Sequence, residues 1–326
     1  MDRRRLLQSG LAGAIGIGCV PSALLGQGQY PERPIRLVIP FPAGGPYDLQ
    51  GRTLGLQLGN VLGQTIVIEN KGGGDTAIGA ATVAFAQPDG YTLLLGCSPT
   101  HVVTPLAMAK PTYDPVKDFS QIAVMNTAPY CLAVRADFPA KTLQELIALI
   151  KANPGKFNYA ESASGSRLSA ELFKLKAGNL NLIGIPYKGA AASMQDLLAD
   201  RIQVYPALIN SVAAHHRSGA IRILAVLSAK RSHAVPDVPT TAEAGLPDTI
   251  FETFTVICTA KGTPAPIIEK IYGALSKVLN DPAFIKFQKE TGAEPVTDSN
   301  PEKATRFVID QIEMIRPYVH LIRKAA

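Results

Sequence analysis

From residue 35 onward, short apolar runs alternate with stretches whose apolar residues recur every three or four positions. "IRLVIP" (35–40), "TIVIEN" (65–70) and "YTLLLG" (91–96) are short, apolar and bounded by turn residues, which predicts buried strands. Between them, "LQGRTLGLQLGNVLG" (49–63) and "TAIGAATVAFA" (76–86) predict helices. The rhythm returns with "KFNYA" (156–160), "NLIGIP" (181–186), "RIQVYP" (201–206) and "IRILAVLS" (221–228) as strands. "SRLSAELFKLKAG" (166–178) and "AAASMQDLLAD" (190–200) fill the gaps as helices, and the last 60 or so residues are mostly helical. Strand–helix–strand alternation predicts mainly parallel sheets covered on both faces by helices, here as two α/β units.

Two stretches share another layout. "YCLAVRADFPAKTLQELIALI" (130–150) and "FTVICTAKGTPAPIIEKI" (254–271) each run from an apolar strand through a proline-containing turn into a helix. Such a pair, far apart in sequence, is what two lobes joined by two crossing strands require. The predicted divisions are a first lobe over 29–128, a second over 129–252, and a return to the first over 253–326. "SAKRSHAVPDVPTTAEAGLPD" (228–248) reads as a surface excursion before the return.

Residues 1–28 stand apart. Arg3, Arg4 and Arg5 precede "LAGAIGIGCV", an apolar stretch too short to span a bilayer, which predicts a secretory signal peptide. "RRRLLQ" also fits a twin-arginine signal, so export by either route is expected, and "GIGC" around Cys19 is a poor lipid-attachment site. Loss of that segment lowers the formal charge from +6 to +4, a mild excess that suits an acidic small ligand. An apolar content of 47% with 18% charged residues describes a globular chain, and no basic tract with interleaved aromatics points to nucleic acid. Cys97, Cys131 and Cys258 lie in strand-like runs and read as buried thiols, a Cys131–Cys258 bridge being the alternative.

In open α/β sheets, ligands sit beyond the carboxyl ends of strands, where loops lead into helix N-termini. Unpaired N–H groups and the positive end of the helix dipole there attract carboxylates. "FPAGGPYD" supplies Phe41, Ala43, Gly44, Gly45, Pro46, Tyr47 and Asp48; "NKGGGDTAIG" supplies Gly73, Gly74, Asp75, Thr76 and Ala77; "GCSPTH" supplies Ser98 and Thr100. The glycines let backbone approach a ligand without a Cβ in the way. The second unit adds Ser162, Ser164, Ser166 and Arg167 in "ESASGSRLS", and Tyr187 and Lys188 in "IPYKGAAASM". Ordinary turn and capping chemistry explains any one of these loops; three at equivalent places in one unit favour an anion site.

Catalysis finds no such support. "ASGSR" lacks the spacing of a nucleophile elbow, and the adjacent His215 and His216 would point about 100° apart on a helix. His101 suits structural hydrogen bonding. No cluster has metal-ligand spacing, and neither a cofactor nor a metal is expected.

"RPIRLVIPFPAGGPYD", "QPDGYTLLLG", "YDPVKDF", "IPYKGA", "DVPTTAEAGLP" and "AKGTPAP" occur in the order and spacing of the Bug proteins, which the chain resembles over roughly 30 to 320. Those are extracytoplasmic receptors of tripartite tricarboxylate transporters. The resemblance implies a two-lobed periplasmic-binding-protein fold, type II-like, acting as a monomer in the periplasm with the transporter's membrane subunits as partners. It also implies that the first two loops hold one carboxylate through backbone N–H groups and ordered waters. Departures from the pattern bear on the ligand. Tyr47 replaces a threonine, Ala77 replaces an asparagine, and Ala207 stands where relatives that take amino acids carry an aspartate. An unpartnered ligand ammonium is costly to bury, so amino acids are poor candidates. Arg167, often a histidine in the family, either grips the far carboxylate of a dicarboxylate or is a solvated arginine. Tyr47, Phe41 and Phe254 either flank a flat ring or belong to the core, so aromatic and aliphatic dicarboxylates both fit. Delivery to a signalling partner is the alternative role, and a hydrolase a more distant one.

Overall fold

A computed structural model describes residues 30–321; the expected signal peptide and Cys19 lie outside these. Strands β1 (Ile35–Ile39), β2 (Ile66–Asn70) and β3 (Thr92–Cys97) form a parallel trio with β1 in the middle. Leu37 is the register point, opposite Ile68 on one side and Leu93 on the other. Helices α1 (Pro46–Leu62) and α2 (Ala77–Ala84) make the crossovers. Gly63 ends α1 in the left-handed region, its N–H donating to the Gly59 carbonyl, a helix stop that glycine makes without strain. After β3 a wide turn (Pro99–Val103) runs into the short α3 (Thr104–Ala107).

The 17-residue strand β4 (Phe119–Arg135) belongs to both sheets. Up to Pro129 it pairs antiparallel with β9 (Glu252–Ala260), which in turn pairs antiparallel with β3. From Tyr130 it pairs instead with β7 (Tyr205–Leu208) and β8 (Ile221–Val226), one on each side. Its near-continuous burial follows from being covered in both lobes: only Ser120, Thr127 and Arg135 are partly open. Each sheet is thereby mixed, parallel among its βα units and antiparallel at the crossing strands. The second lobe is completed by α4 (Leu143–Ala152), β5 (Asn158–Glu161), α5 (Ser164–Lys176), β6 (Ile183–Pro186), α6 (Ala190–Leu198) and α7 (Ile209–Arg217), with β5 and β6 parallel. The chain returns through β9 to α8 (Ala265–Leu279), α9 (Pro282–Glu290), β10 (Glu294–Pro295) and α10 (Pro301–Ile315).

Two details differ from the sequence expectations. The strand expected at 201–206 is displaced to Tyr205–Leu208, because pairing with β4 begins only at Tyr205. Segment 228–248 is more than a surface excursion: Val235, Val238 and Leu246 are buried, and Val226 bridges to Thr240. Helix α9 lies within the stretch expected to be mostly helical and is capped by Asp281, whose carboxylate accepts from the Ala283 and Phe284 N–H groups. As their apolar runs suggest, Cys131 and Cys258 are free buried thiols, one opposite Ala207 and the other opposite Leu94, and the alternative bridge is absent.

Candidate functional site

Where the strand ends of the two lobes face one another, two connected cavities open. An inner chamber of about 360 Å³ leads into an outer cleft of about 1290 Å³. Phe41, Pro42, Ser162, Ala163, Lys188 and Gly189 line both.

Two helix N-termini bound the inner chamber. Gly45, the N-cap of α1, has an extended backbone, no side-chain cap and a proline after it. Gly189, the N-cap of α6, likewise lacks a side-chain cap and is followed by three alanines. Its φ of 137° is open only to glycine, and Pro42 of the first lobe lies close by, 3.7 Å from where a Cβ would sit. By contrast, α4 and α10 are capped by Thr142 and Asn300 side chains that accept from Glu145 and Lys303 N–H groups. The open ends of α1 and α6 aim partial positive charge into the chamber. Lys188 is the one ionisable side chain among its lining besides the phenols. Burial raises the Tyr47 and Tyr130 phenols well above their ordinary value, so both remain neutral hydroxyls. Phe41 and Tyr47 stack with centroids 4.4 Å apart and planes 9° from parallel, forming an apolar wall.

The outer cleft is charged. Gly73, Gly74, Asp75 and Thr76 form its first-lobe lip; Ser164, Arg167, Glu161, Tyr187 and Lys188 face them. The Ser164 N–H donates across the gap to Asp75 Oδ1 at 2.9 Å. Arg167 lies 3.9 Å from carboxylate oxygens of both Asp75 and Glu161. The Tyr187 hydroxyl donates to Asp196 at 2.8 Å, and burial together with that acceptor pushes its pKa up to about 12.

Of the residues singled out in the sequence, Phe41, Ala43, Gly45, Pro46, Tyr47, Gly73, Gly74, Asp75, Thr76, Ser162, Ser164, Arg167, Tyr187 and Lys188 come together around these cavities. The others line neither cavity. The Gly44 N–H is taken by Asp48, and Asp48 itself is buried under the loop. Ala77 packs beneath α2 against Val38 and Leu94. Ser98 is buried, and the Thr100 hydroxyl is spent on Cys97, donating to its carbonyl and accepting from its N–H. Ser166 Oγ accepts from the Ser162 and Ala163 N–H groups, closing the α5 turn. Ala207 is wholly buried opposite Cys131 and lines neither cavity, so the reading of its side chain as a ligand contact is corrected. Phe254 is core, packed edge-on against Phe307, so it does not flank a ring. His101 is buried and hydrogen-bonded through Nδ1 to the Thr100 hydroxyl at 2.8 Å.

Pro99, Tyr130, Tyr205, Leu208, Ser211 and the start of α6 also line the chamber without having been foreseen. "GAAAS" carried a signal for the last of these: a glycine and three small residues opening a helix. No group of His, Cys, Asp and Glu among the described residues is placed to hold a metal ion, and no described helix is long and apolar enough to cross a membrane.

The model of the tripartite tricarboxylate transporter family receptor matches residues 51–323. Among curated relatives, a UPF0065 protein of Bordetella pertussis is 37% identical over 295 residues, covering 90% of each chain. Protein BugT of the same organism is 34% identical over 288 residues, 87% of each chain. Among solved structures, MatC of Rhodopseudomonas palustris with bound malate superposes with a TM-score of 0.84 at 30% identity, covering 89% of this chain and all of its own. Rpa4515 of R. palustris with adipate gives 0.85 at 30% identity, covering 90% of this chain and 98% of its own.

Proposed function

The chain belongs to the tripartite tricarboxylate transporter receptor family, and from that premise we propose that it captures a small dicarboxylate between its lobes. In this reading it then presents the acid, in the periplasm, to the membrane subunits of a tripartite transporter. The observation that carries the reading is the pairing of the open N-termini at Gly45 and Gly189 on one chamber with no acidic side chain in its wall. One carboxylate fits there, held by backbone N–H groups and bridging water. The stacked pair of Phe41 and Tyr47 suits a compact apolar body, aliphatic or aromatic. Lys188, on the rim shared by both cavities, suits the second carboxylate. Arg167 is the weaker partner for that group, since Asp75 and Glu161 already flank it. The malate and adipate of the two solved relatives are dicarboxylates, which agrees with this choice.

The lobes close on the acid only in so far as it binds the closed form more tightly. A thermal-shift and calorimetric series of matched mono- and dicarboxylates tests the proposal. An acid at 100 times its Kd stabilises by about 2.7 kcal/mol, a readily visible shift. Dicarboxylates should bind, and Lys188→Ala should weaken glutarate about fivefold while leaving butyrate nearly unchanged, as expected of one exposed ion pair. Equal losses for the two acids would remove Lys188 from the site; no response to any acid would overturn the carboxylate reading.

A further inference from the structure

Asp75 has a backbone that needs an explanation. Its φ is 53° and that of Thr76 is 78°, two consecutive non-glycine residues in the left-handed region. That conformation is unfavourable for side-chain-bearing residues and persists only where surroundings hold it. Here they do. The Asp75 carbonyl accepts from the Thr104 hydroxyl at 2.8 Å, and that hydroxyl lies 3.0 Å from Ser164 Oγ on the opposite lobe. The Asp75 carboxylate in turn accepts the Ser164 N–H at the start of α5, with the Arg167 guanidinium behind it.

A helix N-terminus backed by a guanidinium is a seat for a carboxylate. The seat belongs to the second lobe and its occupant to the first. Arg167 is not fully engaged by that occupant: its contacts at 3.9 Å are longer than hydrogen bonds, and its Nε is buried with no partner. The donor capacity of a stronger pairing is present and unused.

We propose that Asp75 is a specificity-determining residue: its side chain fills the anion seat formed by α5 and Arg167, so a bound acid finds that seat closed to a further carboxylate. This rests on the dicarboxylate reading above. The inner chamber and Lys188 accommodate two carboxylates; a third, branching from the middle of the ligand toward the outer cleft, meets Asp75 and is repelled. Removing the Asp75 carboxylate leaves the Ser164 N–H and Arg167 without their occupant and open to an external one. Glycine is the replacement of choice, because it adopts a φ of 53° without strain.

The test is calorimetry with glutarate and with tricarballylate, which is glutarate bearing one more carboxylate on its central carbon. Three proteins are compared: the wild type, Asp75→Gly, and Asp75→Gly combined with Arg167→Gln. The preference ratio is the readout, since any change in ease of lobe closure affects both acids alike. The wild type should favour glutarate, Asp75→Gly should shift the ratio toward tricarballylate about tenfold or more, and Arg167→Gln should remove that gain. A ratio unchanged in Asp75→Gly, or a gain that survives loss of Arg167, overturns the proposal. Glutarate binding to the wild type with an unchanged ratio defeats this inference and leaves the dicarboxylate reading standing. Failure of the wild type to bind glutarate defeats the dicarboxylate reading, and this inference with it. If no protein binds either acid, both fall.

Discussion

The Gly44 N–H donates to the Asp48 carboxylate, Oδ2, at 2.9 Å, so the central amide of the first loop is committed within the protein. Arg52 Nε donates to the same oxygen at 3.0 Å and Asn70 Nδ2 to the other at 3.0 Å. Asn70 also donates to the Phe41 carbonyl at 3.2 Å. One buried carboxylate thus gathers the loop after β1, the end of β2 and the first turns of α1. This network is what holds the Phe41–Tyr47 wall and the open end of α1 in place.

Asp48→Ala should therefore act on stability and affinity together. Burial alone opposes the charge, but the donors from Arg52, Gly44 and Asn70 outweigh it and hold the carboxyl below the usual aspartate range. Removing the acceptor leaves partly buried donors unpaired, which costs about 2 kcal/mol. Urea denaturation should show that loss at pH 7, and calorimetry a weaker carboxylate. Because the folded-state pKa is depressed, the contribution is present above the unfolded-state pKa and fades as the solution is acidified below it. The mutant and wild type should accordingly converge in acid.

Gly44 tolerates substitution according to backbone preference rather than space. Its φ is 84°, and nothing lies within 4 Å of where a Cβ would sit. Gly44→Val should cost about 1–2 kcal/mol from the left-handed conformation alone and displace the loop, lowering affinity with the fold retained. Gly44→Asn, which visits that region more readily, should be milder in both respects. Melting curves and calorimetry on the two variants check the order. The glycine was singled out in the sequence as a point of ligand approach; the structure gives it a different reason to be glycine.

Much of the site was legible because it is local. Each βα loop sits between a strand and a helix that are contiguous in sequence, so "FPAGGPYD" and "NKGGGDTAIG" announce their place before any packing is known. Tyr130, Tyr205, Leu208 and Ser211 reach the chamber for non-local reasons. Tyr130 is where β4 exchanges β9 for β7 and β8; the layout of the sequence put a crossing near 128 but did not tell which side chain there enters the chamber. Ala207 lies in the same short strand as Tyr205 and Leu208, which line the chamber, and nothing in that run tells which of its members reach it. Likewise, the sequence offered Arg167 as a free cation because the carboxylates that flank it come from another lobe and another strand.

Tyr47 combines two roles that substitution separates. Its ring stacks on Phe41, and its hydroxyl lies 3.0 Å from Thr253 Oγ1, tying α1 to the returning strand β9. Tyr47→Phe keeps the ring and leaves the Thr253 hydroxyl without that partner, a loss of about 1 kcal/mol. Tyr47→Ala removes a buried ring from the wall and should cost about 3–5 kcal/mol. Chemical denaturation gives the stability terms. Binding should survive in Phe and fail in Ala if, as proposed, the apolar wall contacts the ligand while the hydroxyl bond supports it from behind.

His101 supplies a pH dependence of defined sign. Burial lowers its pKa to about 3, against about 6.5 for an exposed imidazole. Between those values the unfolded chain binds a proton that the folded protein refuses, so acid favours unfolding. Its contribution is complete above about pH 6.5 and declines by about 1.4 kcal/mol for each pH unit below that, until the folded-state pKa is reached. The lowered carboxylates, Asp48 among them, lose their share at more acidic pH, and Glu252, whose carboxyl burial raises, is common to the wild type and any His101 variant. His101→Gln should be less stable at pH 7, having lost the bond to the Thr100 hydroxyl and the fit beside Gly96. It should then lose about 2 kcal/mol less than the wild type between pH 6.5 and 4.5, measured by urea denaturation, because every other titrating group is common to both proteins. Parallel pH profiles would mean that the imidazole accepts its proton inside the fold, through movement of the β3–α3 turn that now shuts water out.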